Sequence, residues 1–170
     1  MLWRARIEPE LAEFIAQQRS FFLATASAGG RPYIQRRGGP AGFLRVLDEH
    51  TLAFADFRGN RQYISQGNLT ENPKVQLFLI DYARRARIKI WGEAQGVEDD
   101  RDLIQSLLVG GYDGKPAQAM VICVTAWDRN CPQHIPQLLA AEEVQAVLAQ
   151  RDARIAELEQ ELRQLRARQD

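Results

Sequence analysis

Short apolar runs separated by glycine-rich turns fill the chain up to about residue 130 and constrain its fold more than any other feature. The runs cover residues 21–26, 31–35, 43–46, 51–55, 75–80, 87–97 and 119–127, and turns are expected at 27–30 and 38–42. Runs of this length, bounded by glycine and proline, are typical of antiparallel strands. Short helices are predicted at 9–18, 61–69 and 99–108. The pattern therefore predicts a mostly β or α+β fold, built as a small antiparallel barrel.

A long helix is predicted at the C-terminus, because residues 141–168 contain neither glycine nor proline and are rich in helix formers. Apolar residues recur there at alternating spacings of four and three; they are Val144, Leu148, Ile155, Leu158, Leu162 and Leu165. This is a heptad seam, interrupted only by Arg151. We expect residues 1–137 to form the barrel domain and residues 138–170 a coiled-coil helix between subunits. The alternative is an amphipathic helix packed on its own barrel.

The charges beside this seam are compatible with either orientation of two helices. A parallel dimer would pair Arg154 with Glu159 and Glu161 with Arg166. An antiparallel dimer would instead pair Arg154 with Glu161.

A turn between a strand and a helix is the strongest local indication of a ligand. Asp56 ends an apolar run, and Arg58, Gly59, Asn60 and Arg61 follow it directly. A helix that starts here presents free backbone N–H groups, and the two arginines add guanidinium donors, a combination that suits a phosphate. Asn60 is predicted to cap the helix and Arg61 to occupy its first turn. The alternative is an ordinary turn with solvated arginines.

Composition excludes several classes of function. The formal net charge is zero, which argues against binding to nucleic acid or to a membrane surface. No apolar run approaches the roughly 20 residues of a membrane span, and the first residues lack the apolar core of a signal peptide. With two cysteines, Cys123 and Cys131, we expect a cytoplasmic protein with reduced thiols.

Several segments, in this order, resemble the pyridoxamine 5'-phosphate oxidase-like FMN-binding split barrels. They are FLATA, RPYIQRRG, TLAFADFRGNRQ, NPKVQLFLI and RIKIWGEAQ, and the resemblance covers about residues 21–134. WDRNCPQHIP resembles a segment of a subgroup whose substrates are poorly defined. The resemblance implies a six-stranded antiparallel split β-barrel that forms a homodimer, with FMN bound at the interface.

The resemblance also implies which residues contact FMN. Arg36 and Arg37 match the segment that binds the phosphate and ribityl chain, and the 56–61 turn matches the segment that closes over the phosphate. Arg87 and Lys89 match positions that face the flavin ring. Alternation along a strand places these two on one face. The full set of expected cofactor contacts is Arg36, Arg37, Asp56, Arg58, Gly59, Asn60, Arg61, Asn68, Arg87, Lys89 and Trp127.

The chain departs from true pyridoxamine phosphate oxidases because no Arg-x-His-Asp segment occurs near its C-terminus, which argues against vitamin B6 chemistry. We expect an FMN-dependent oxidoreductase that acts on a small molecule, with electrons from NAD(P)H or from the substrate. The cofactor performs the chemistry, so no catalytic side chain is named. The alternatives are a flavin carrier or sensor without turnover, or a relative that uses a deazaflavin or haem, with His50 and His134 as the available axial ligands.

Cys131 and His134 have the spacing of two metal ligands, but a metal site needs a second such pair, and none is visible. A Cys–His nucleophile pair lacks a third, orienting group. We therefore expect no metal, and we expect this loop to line the flavin pocket.

Overall fold

A computed structural model describes residues 3–57, 63–111 and 115–167 of the 170-residue chain. Its elements, in order, are α1 Pro9–Ala16, β1 Ser20–Ala26, β2 Pro32–Gly38, β3 Arg45–Asp48, β4 Thr51–Phe57, α2 Ile64–Glu71, β5 Lys74–Asp81, β6 Ala86–Val97, α3 Arg101–Ser106, β7 Pro116–Asn130 and α4 Ala141–Arg166. The predicted fold class is confirmed. The described residues form seven strands rather than the six that the family resemblance implies; the predicted 43–46 strand is observed as β3, a short edge strand that pairs with β4.

The strands form one sheet in the order β2-β1-β5-β6-β7-β4-β3, and every neighbouring pair is antiparallel. Along each central strand, alternate residues are buried; Leu23, Leu77 and Ile90 lie side by side in the core. This period of two is what a sheet with one covered face requires. The sheet curls around this core as an open, split-barrel-like structure, so that its first strand, β2, approaches its sixth, β4.

A β-bulge in the longest strand pair changes which residues of β7 face the core. Gly92 lies opposite Val124, but Trp91 lies opposite Ala126, so Thr125 is an extra residue on β7. The bulge explains why Val124 and Trp127, three residues apart, are both buried. Gly92 is required at this point, because a Cβ atom there would overlap the carbonyl oxygen of Cys123.

Two helices cover parts of the sheet. α1 starts with Pro9, a favourable first residue, and buries Leu11, Phe14 and Ile15, the face that the sequence predicts. α2 starts at Ile64 rather than near Arg61, and Tyr63, with a left-handed φ of 51°, precedes it. Asn60 and Arg61, the predicted cap and first-turn residue, lie outside the described residues.

α4 differs from the other helices because every residue of it whose side chain is described is exposed. Its bounds agree with the predicted C-terminal helix. None of the described helices is long and apolar enough to cross a membrane.

Candidate cofactor site

An ion pair joins the two sides of the curled sheet. Arg37 of β2 donates from Nη1 to Asp56 Oδ1 of β4 at 2.7 Å, and only 18% and 14% of these side chains are exposed. Gln118 Nε2 donates to the other carboxylate oxygen at 3.2 Å. The guanidinium also lies 6.0 Å from the ring centre of Phe54. Two of the predicted cofactor contacts are thus paired with each other, and they hold β2 to β4.

A small cavity of about 180 Å³ opens beside this ion pair. It is lined by Arg36, Arg37, Gly38, Phe43, Phe54, Ala55, Asp56 and Phe57. Arg36 is exposed and makes no hydrogen bond or ion pair within the described part of the chain. The Nε atom of Arg37 is buried and likewise has no partner there. The cavity is therefore lined by two arginines, one of which has no partner among the described residues, and guanidinium groups are the donors that an anion favours.

The predicted turn of Arg58, Gly59, Asn60 and Arg61 lies outside the described residues. Phe57, the residue before this turn in the sequence, lines the cavity. The roles of these four residues stay a prediction.

The outer face of the sheet, opposite the core, carries the other predicted cations. The strand register aligns Arg36, Phe22, Phe78, Lys89 and Asp128 in one row across five strands. Arg87 follows on the same face, two residues before Lys89. Apolar side chains are exposed on this face as well, and Ile34 is 62% exposed. We call this surface the outer face; it combines apolar area with cations, as a surface for a flavin ring would.

Two neighbouring residues of the outer face each carry a buried polar atom without a partner among the described residues. Arg87 and Asn130 are direct cross-strand neighbours, and the Arg87 Nε and Asn130 Oδ1 atoms are both buried without a hydrogen-bond partner among the described residues. Buried polar groups are almost always paired, so these two atoms are open to a partner from outside the described residues. Asn130 was not predicted from sequence, because without the bulge it would not lie on this face.

Trp127 lies on the other side of the sheet from Arg87 and Lys89. Its side chain is 4% exposed and belongs to the core, and its indole N–H donates to the Arg6 carbonyl oxygen at 2.8 Å. It forms one wall of a second cavity of about 380 Å³ beneath α1. Charged side chains that line this cavity are already paired with each other, such as Arg129 with Glu10 at 2.5 Å. The structure does not bring Trp127 together with the other predicted cofactor contacts.

Asn68 anchors α2 on the sheet. Its side-chain amide donates to the buried Thr25 hydroxyl at 2.9 Å, and Ser65 of the same helix donates to Gln35 at 3.3 Å. The amide of Asn68 is thus used within the protein, near the region where the cofactor was expected but not in the small cavity itself.

The residues that follow the Cys131–His134 segment pack on the β5–β6 hairpin. Arg85 Nε donates to the Ile135 carbonyl oxygen at 3.0 Å, and Gln137 donates to that of Ala83 at 3.0 Å. Ile135 is buried, while Cys131 and His134 are exposed. No three potential metal ligands gather within the described ranges. The segment positions the chain that leads to α4.

Comparison with known proteins identifies the fold. A sequence model of the family described as pyridoxamine 5'-phosphate oxidase matches residues 7–127, more than half of the chain. No curated protein matches the sequence. HupZ from Group A Streptococcus is 20% identical, with a TM-score of 0.60 over 78% of this chain and 99% of HupZ.

Two further solved structures are similar in fold. An FMN-binding protein from Syntrophomonas wolfei is 14% identical, with a TM-score of 0.57 over 79% of this chain and 91% of that one. An F420 reductase is 20% identical, with a TM-score of 0.50 over 71% of this chain and 98% of that one. At these identities the structures show a shared fold only. Together with the family model, they show that the chain belongs to the pyridoxamine 5'-phosphate oxidase family.

Proposed function

We propose that this protein is an FMN-dependent oxidoreductase that acts on a small molecule as a homodimer in the cytoplasm, with electrons from NAD(P)H or from the substrate. One observation carries the proposal. The protein has both a cavity of the size of an anion, lined by Arg36 and Arg37, and an outer face with unpaired polar atoms. Membership of the family supports flavin as the ligand.

The phosphate of FMN fits the small cavity. A phosphate dianion favours several guanidinium donors, and Arg36 and the Nε atom of Arg37 are available to it. Asp56 does not repel the anion strongly, because its charge is offset by Arg37. Arg58 and Arg61, which lie outside the described residues, are proposed as further donors.

The flavin ring requires a second surface. Pockets that enclose a ligand of this size measure about 300–1,000 Å³, so a cavity of about 180 Å³ holds the phosphate end only. The outer face supplies an apolar surface, the cations Arg87 and Lys89, and the Oδ1 atom of Asn130 as a hydrogen-bond acceptor. A second copy of the chain would cover the ring and exclude water, which is why we propose a homodimer with two equivalent sites.

The bound FMN would supply the hydride and electron chemistry. The protein residues bind and orient it. Lys89 makes no ion pair with another described residue, so its charge is available to stabilise negative charge on a reduced flavin.

Replacing Arg36 with alanine is expected to weaken FMN binding roughly 10- to 150-fold, the loss of one charge-assisted hydrogen bond. Titration of apo-protein with FMN, followed by flavin fluorescence, measures the effect. Arg31→Ala, which removes another exposed arginine near the same strand, is the control and should bind FMN as the wild type does. Equal dissociation constants for Arg36→Ala and Arg31→Ala would refute the phosphate site.

Turnover separates the enzyme from a flavin carrier or sensor. NAD(P)H added anaerobically should bleach the absorbance of bound FMN if the protein is an NAD(P)H-dependent oxidoreductase. Bleaching only by a reducing substrate would identify that substrate as the electron donor. If the purified protein instead shows the absorbance spectrum of a deazaflavin or of haem, that group and not FMN is the cofactor.

A further inference from the structure

The apolar seam of α4 has no partner within the described chain. The helix spans 26 residues, about 39 Å. Ile155, Leu162 and Leu165 are 54%, 52% and 56% exposed. An exposed apolar stripe of this length marks an interaction surface. The alternative of packing on its own barrel is excluded for the described residues, because none of their side chains on α4 is buried.

We propose that α4 pairs with α4 of a second copy of this chain in a parallel, in-register coiled coil. In heptad notation, Leu148, Ile155 and Leu162 occupy position a, and Val144, Arg151, Leu158 and Leu165 occupy position d. Leucine at d is typical of two-stranded parallel coils. The charges that flank the seam select both the partner and the orientation.

The flanking charges are complementary to a second copy of themselves. In a parallel pair, position g of one helix faces position e of the next heptad in the partner. Arg154 then faces the partner's Glu159, and Glu161 faces the partner's Arg166. The two-fold axis repeats each pair, so four attractive contacts form. No like charges meet at these positions within α4.

The in-register parallel pair places the two Arg151 side chains opposite each other at position d, and their repulsion has to be offset by the partner's carboxylates. A side chain at d packs against positions d and e of the partner helix, so Arg151 reaches the partner's Asp152. A charged residue in the seam reduces stability, but it specifies one register and orientation.

In an antiparallel pair, the charges beside the seam do not all attract each other. There, positions g face g and positions e face e. In the register that aligns the whole seam, Arg154 faces the partner's Glu161, but Asp152 faces the partner's Glu159. Attraction at one pair is thus offset by repulsion at the other. The intrachain contact of Arg154 with Glu157, at 2.9 Å, is between side chains that are 61% and 63% exposed and competes only weakly.

Cysteine cross-linking tests the orientation. The exposed native thiols are first removed by Cys123→Ser and Cys131→Ser. Leu162→Cys then places two thiols together in a parallel pair. In the antiparallel pair, position 162 faces position 151, which separates the thiols by about 16 Å along the axis, beyond the reach of a disulfide. Gln160→Cys, on the outer side of the same helix turn, is the matched control.

We expect the disulfide between two Leu162→Cys chains to form in glutathione buffer with an equilibrium constant roughly 100-fold or more above that of Gln160→Cys. Equal constants for the two variants would overturn the proposal, as would occupation of the seam by a different protein, which leaves the thiols apart. The measurement is made with and without FMN, because the pairing does not depend on the cofactor. A negative result in the cross-linking experiment can therefore be told apart from a failure of the protein to bind flavin.

Charge reversal provides a second, independent readout. Adding Glu159→Arg to Leu162→Cys should lower the cross-linking constant roughly 5- to 30-fold at low salt, since two attractive pairs become repulsive. Adding Arg154→Glu as well should restore it. In an antiparallel pair the thiols at position 162 stay apart, so Glu159→Arg would leave the constant at the level of the Gln160→Cys control, a result that would contradict the parallel arrangement.

Discussion

Replacing Gly92 with alanine is expected to lower the free energy of unfolding by about 3 kcal/mol, a large effect for one methyl group. The added Cβ atom would overlap the Cys123 carbonyl oxygen, a backbone atom that cannot rotate away. Relief requires the bulge between β6 and β7 to shift, and these are the longest strands of the sheet. Urea denaturation of the purified variant measures the change.

Gly67→Ala is the matched control for this experiment. Gly67 lies inside α2, and a Cβ atom there meets nothing within 4 Å. Alanine should therefore raise the free energy of unfolding by about 0.5–1 kcal/mol, because glycine is unfavourable inside a helix. If both substitutions change the free energy of unfolding by the same amount, the short distance between a Cβ atom at position 92 and the Cys123 carbonyl oxygen does not cause the predicted loss.

Replacing Arg37 with alanine is expected to lower the free energy of unfolding by about 2–3 kcal/mol. The substitution leaves the Asp56 carboxylate, 14% exposed, with Gln118 as its remaining hydrogen-bond donor among the described residues. An unpaired charge on a side chain this buried lowers the free energy of unfolding by more than an exposed ion pair raises it. The loss should also loosen β2 from β4, since four strands separate them in the sheet.

A double-mutant cycle separates this pairing from simple loss of packing. Arg37→Ala, Asp56→Ala and the double variant are compared by urea denaturation. The double variant should be destabilised by less than the sum of the two single losses, by about 1–2 kcal/mol, because it leaves no unpaired charge. Additive losses would show that the two side chains act independently.

The sequence predicts the strands well but not the face on which the last residues of β7 lie. A strict period of two from Met120, Ile122 and Val124 would place Trp127 opposite the core, on the side of Arg87 and Lys89. The extra residue at Thr125 reverses this and buries Trp127. Bulges depend on pairing between strands that are distant in sequence, so local patterns do not indicate them.

The ion pair shows a second limit of sequence reasoning. Arg37 and Asp56 were both expected near the phosphate, and both line the small cavity. Their pairing with each other follows from the curl of the sheet, which no local pattern encodes. The start of α2 was placed too early for a different reason: Tyr63 takes a left-handed conformation that is uncommon for tyrosine. The heptad helix, which depends only on local spacing, was predicted with nearly its observed bounds.

Parallel titration of the apo-protein with FMN and with riboflavin tests the central claim most directly. The two ligands share the flavin ring and differ by the phosphate, so the difference in affinity reports the phosphate site alone. We predict one FMN bound per chain, with riboflavin bound at least roughly 10-fold more weakly, the loss of one or more charge-assisted hydrogen bonds. No binding of FMN, or equal affinity for FMN and riboflavin, would contradict the account.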